Sequence, residues 1–68
     1  MKNPIAIKQN LESAISEYGF YKIANMIQEL FNSNSFSYNR TSTLFRIMRR
    51  MYIRNYSYSI IPDYLILK

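Results

Sequence analysis

The sequence predicts a mainly α-helical α+β domain: three helices followed by a small C-terminal β-hairpin. Three observations carry this. Apolar residues recur at three- and four-residue spacing through 7–31 and again through 44–51. The single glycine, Gly19, stands between two such stripes. From Tyr56 the pattern changes to alternation and runs into Pro62-Asp63, residue types that favour a turn. The whole chain, 1–68, is expected to make one small domain.

The first helix begins with Asn3 as N-cap and Pro4 at the first helical position, where a missing N–H costs nothing. Ile7, Leu11, Ala14, Ile15 and Tyr18 form its apolar face. Gly19 can take a left-handed conformation and is expected to mark a sharp corner. In the second helix Phe20, Ile23, Ala24, Ile27, Leu30 and Phe31 share a stripe, with Lys22, Asn25 and Glu29 opposite. Residues 32–35 are Asn and Ser, which favour turns, and 35–38 alternate as in a weak strand. The third helix is expected to be capped by Thr41 or Ser42 and to run to about Arg54, with Leu44, Ile47, Met48 and Met51 inward. Tyr56, Tyr58 and Ile60 then lie on one side of a strand, and 64–67 supply its partner across Pro62-Asp63.

Charge divides the chain in two. Residues 1–31 set Lys2, Lys8 and Lys22 against Glu12, Glu17 and Glu29, and the sum is zero. Residues 32–68 set five arginines and Lys68 against Asp63, and the sum is +5. A neutral helical scaffold therefore precedes a basic half. With no cysteine and no histidine, disulfides, thiolate chemistry and the commonest general base are all missing. The four carboxylates form no evident acid/base pair, and one glycine leaves no phosphate-cradling loop. An enzyme is not expected, nor any cofactor or metal. The longest apolar run is four residues, 64–67, against the roughly 20 needed to span a bilayer. A soluble, cytoplasmic protein is expected, and no membrane partner.

The basic half contains the sharpest signal. Arg46, Arg50 and Arg54 fall at successive four-residue steps, with Arg49 beside them and Arg40 upstream. A helix that is apolar on one side and cationic on the other suits insertion into a DNA groove, where arginine bonds phosphates and guanine edges. Thr41, Ser42 and Thr43 at its N-terminus suit a phosphate as well. Tyr56 and Tyr58 are candidates for stacking on unpaired bases. The candidate nucleic-acid contacts are thus Arg40, Thr41, Arg46, Arg49, Arg50, Arg54, Tyr56 and Tyr58.

The segment Lys22-Ile-Ala-Asn-Met-Ile resembles the positioning helix of helix-turn-helix and winged-helix proteins, with Ala24 small enough to admit a neighbouring helix. That resemblance implies a recognition helix at 41–54 and a wing at 56–67. The chain departs from the pattern in placing about nine residues between Phe31 and Thr41, where the motif has three or four.

Tyr21, Tyr52 and Ile53 fall outside the helical stripes and are candidate interface residues, so a homodimer is expected. Two functions follow. The first is a small nucleic-acid-binding protein, with duplex DNA favoured, of the kind a phage or plasmid regulator would be. The second is an interaction or inhibitor protein whose basic, aromatic surface covers an acidic or nucleic-acid-binding site on a larger complex.

Overall fold

Pro4 opens helix α1, which spans Pro4–Tyr18. The computed structural model describes residues 4–56 and 60–67, with side chains from residue 7 onward. Asn3, the expected cap, lies outside the described residues. Leu11 and Ile15 are the buried members of the α1 stripe, Ile7 and Ala14 are half-buried, and Tyr18 is exposed.

The Gly19 corner is present. Its N–H donates to the Ile15 carbonyl at 2.7 Å, closing α1, and its φ of 88° with ψ of 162° lies in a region essentially restricted to glycine. Helix α2, Phe20–Asn32, starts at the next residue. It buries Phe20, Ile23, Ala24 and Ile27, a spacing of three and four residues that keeps them on one face. Asn34 ends it in a left-handed conformation, φ 65°. The Ser35 N–H reaches back to the Leu30 carbonyl at 2.8 Å and the Asn34 N–H to Phe31 at 3.1 Å. This is a Schellman closure with asparagine in the position glycine usually takes.

Helix α3 spans Tyr38–Tyr56, starting four or five residues earlier and ending two later than the sequence suggests. The cap is Ser37, whose Oγ accepts the Arg40 N–H at 3.1 Å. Residues 35–38 therefore form a cap and a first turn, and the weak strand expected there is absent. The inward face is also rotated from the expected one. Thr41, Phe45, Met48 and Met51 are buried, whereas Leu44 and Ile47 are half-buried. Phe45 and Met48 have no exposed surface.

The expected C-terminal β-hairpin is wrong: among the described residues there is no β-strand, and the protein is three helices with a short tail. Tyr56 belongs to α3 because it stands four residues from Tyr52, and the two rings pack at 4.7 Å with Phe20 alongside. Tyr58, the middle of the proposed strand, lies outside the described residues. Pro62 leads into a 3₁₀ turn, Asp63–Leu65, closed by the Leu65 N–H on the Pro62 carbonyl at 3.0 Å. Leu65 is fully buried among the core residues. The Leu65 plug, with Ile61, Tyr64 and Leu67 packed beside the core, anchors this tail where a two-stranded ladder, marginal in isolation, would have to hold itself. The wing implied by the winged-helix resemblance is likewise absent among the described residues.

Helix α2 is the hub, packing against α1, α3 and the tail turn. The core joins Leu11 and Ile15 to the α2 stripe, to Phe45, Met48 and Met51, and to Leu65. All five arginines are thereby carried on one helix whose opposite side is anchored.

Candidate nucleic-acid interface

Helix α3 is 19 residues, about 28 Å long at 1.5 Å per residue. Its buried residues fix its rotation, and the outward side presents Arg46, Arg50 and Arg54, all exposed. Each step of four residues rises about 6 Å, so these three guanidinium stems span about 12 Å of helix. Ile53 lies within the row and is partly exposed at 40%. No hydrogen bond, ion pair or ring contact joins Arg46, Arg50 or Arg54 to another described residue. Glu12 of α1 and Arg54 line one cleft, which places a negative charge at the C-terminal end of the row.

The other predicted contacts have different surroundings. Arg49 is half-buried, and its Nη1 donates to the Leu65 carbonyl at 2.9 Å. It tethers the tail and is not equivalent to the three exposed arginines. Arg40 is exposed but stacks its guanidinium 5.1 Å over the Phe36 ring, beside the α2–α3 connection. Thr41 is fully buried, and its Oγ1 donates to the Ser37 carbonyl at 2.8 Å. Its hydroxyl faces the protein, and the true N-terminus of α3 lies a turn earlier, so the expected phosphate contact by Thr41 has no geometric basis. Tyr56 is half exposed, and its ring packs against those of Tyr52 and Phe20. Tyr58 lies outside the described residues.

Tyr21, Tyr52 and Ile53 have different immediate surroundings. Tyr52 is half-buried and meets Phe20 edge-on at 5.3 Å. Ile53 follows it by about 100° around the helix and so faces outward. Tyr21 sits on α2 and meets Tyr64 of the tail edge-on at 5.2 Å. That contact places Tyr64 in a partly apolar setting, and its hydroxyl pKa is raised, first by desolvation and then by the neighbouring Tyr52 and Tyr56.

Two features went unread in the sequence. Tyr38 lies on the same side of α3 as Ser42, Arg46 and Arg49. Its spacing to them was visible, but reading 35–38 as a strand removed it from the helix. The connection between α2 and α3 is residues 33–37, five rather than about nine, close to the length of a helix-turn-helix connection.

No family model, curated protein or solved structure matches this chain. Among the described residues no helix is long and apolar enough to cross a membrane, and no three side chains of metal-ligating type are grouped.

Proposed function

We propose that the protein binds nucleic acid, duplex DNA in preference, through the outward face of α3. The observation that carries this is the row of Arg46, Arg50 and Arg54, exposed, evenly stepped and without a carboxylate partner among the described residues. Three guanidinium groups on one helix, unpaired among the described residues, repel one another and keep a layer of counter-anions. A phosphate backbone replaces those anions and releases them, which is the main source of affinity in such complexes. The anchored inner face keeps the helix from turning its charges away. A span of about 12 Å is also comparable with the width of the major groove. A homodimer is part of the proposal, since a second copy brings a second α3 to the same duplex.

The test is a mobility-shift titration of the purified protein with random-sequence duplex DNA, single-stranded DNA and single-stranded RNA at two salt concentrations. The expected result is retention of all three polyanions at low salt, strongest for the duplex and weakened as salt rises. Absence of binding to every polymer at low salt would remove this reading and favour an acidic protein surface, which the same charges would suit.

A further inference from the structure

The N-terminal half of the outward face is not flat. Tyr38, Ser42, Arg46 and Arg49 rise along one side of α3, and Ile66 and Leu67 of the tail form the facing wall of a shallow depression. The four helical residues fall within about 80° of arc, so their polar ends converge. Two are hydroxyls and two are guanidinium groups, and among the described residues no carboxylate side chain lines the depression. Arg49 is half-buried, with one N–H donated to the Leu65 carbonyl. A guanidinium has five N–H donors, so most of its capacity stays free while its position is fixed. Partly removed from water, its charge meets a neutral acceptor and, one turn away, a second positive charge. Such a recess favours an anion more strongly than an open surface does.

We infer that this depression seats one phosphate group, with Arg46 and Arg49 holding its oxygens and the Ser42 hydroxyl donating a further bond. A tetrahedral phosphate accepts from several directions at once and takes bidentate bonds from arginine. The inference rests on the proposed nucleic-acid function and specifies it: Arg50 and Arg54 meet the backbone on flexible stems, whereas this seat fixes the register. The phosphate has two possible sources in a nucleic acid, an internal diester or a terminal monoester.

The experiment is a titration of the isotope-labelled full chain with inorganic phosphate, followed by amide chemical shifts, with sodium chloride at equal ionic strength as control. Saturable shifts at 42–49 and 65–67 that chloride does not produce are expected, and Arg46→Gln should weaken the affinity about tenfold. Arg49→Gln also cuts the tail tether, so Ser42→Ala, which leaves the tether alone, is the second variant and should weaken binding less. Non-saturating shifts over all cationic residues, or a titration unchanged by Arg46→Gln, would overturn the seat. A short oligonucleotide with and without a 5′-phosphate separates the sources. Preference for the phosphorylated form, lost in Arg46→Gln, identifies the monoester; equal binding with the same amide shifts identifies the diester. Oligonucleotide binding without shifts at Ser42 and Arg49 would remove the seat and leave the proposed function standing. Saturable phosphate binding without oligonucleotide binding would keep the seat and remove that function.

Discussion

Replacing Leu65 by alanine distinguishes a plugged tail from a solvent-side hairpin. Leu65 has no exposed surface and lies in the core with residues from all three helices. Burying a leucine side chain contributes about 1.5–3 kcal/mol, and leucine-to-alanine changes in close-packed cores cost about 2–5 kcal/mol. The tail can shift to fill part of the space, because it is held by the Arg49–Leu65 bond and the Tyr21–Tyr64 edge contact rather than by a ladder. The lower half of that range is therefore expected, about 2–3 kcal/mol. Domains of this length have total stabilities of roughly 3–10 kcal/mol, so the loss is a large fraction. At about 4–8 °C per kcal/mol it lowers Tm by roughly 10–20 °C. Ile60, at 82% exposure, is the control: alanine there should cost no more than about 0.5 kcal/mol. Thermal unfolding followed by circular dichroism at 222 nm reads both variants. An unchanged Tm for Leu65→Ala, or an equal fall for Ile60→Ala, would refute the plug.

Three further outcomes are expected. Gly19→Ala should destabilise by about 1–3 kcal/mol in urea unfolding through backbone strain alone, because an added Cβ at Gly19 meets nothing within 4 Å; a neutral result would show that the corner relaxes. The raised pKa of Tyr64 means that folding favours its protonated form. Its contribution to stability is full below the usual tyrosine value of 10.0 and is lost as pH rises through the higher folded value. Tyr64→Phe should flatten that alkaline loss, and an unchanged alkaline unfolding profile would count against it. Sedimentation at micromolar concentration should give about twice the 8.2 kDa chain mass, and a species of 8.2 kDa alone would exclude the dimer.

The helical scaffold was legible because its signals are local. Pro4, the α2 stripe and the single Gly19 each act within a few residues, and the structure places a helix start, a buried face and a corner there. The start of α3 was not, because Ser37 and Thr41 are both residues that cap helices and nothing local chooses between them. Placing the cap at Thr41 or Ser42 hid the buried face, since a threonine at an inward position breaks the apolar stripe that includes Phe45. The tail failed for another reason. Alternation at 56–60 satisfies a strand, but Tyr56 also stands one helical turn from Tyr52, and packing on Phe20 decides for the helix. The candidate site was legible as a charge pattern and not as individual roles. Arg49 looks like its neighbours until a carbonyl sixteen residues away claims it.

The salt dependence of duplex binding tests the central claim most directly. If in each copy Arg50 and Arg54 neutralise one phosphate apiece and Arg46 with Arg49 a third, the dimer meets six phosphates, and log affinity against log salt has a slope of about −5.4. Changing Arg46 and Arg50 to alanine should reduce the slope to about −2, one phosphate per copy, and weaken binding on every sequence, with folding retained because both side chains are exposed. A folded double variant that binds duplex DNA with the parental affinity and slope would contradict the assignment of binding to α3.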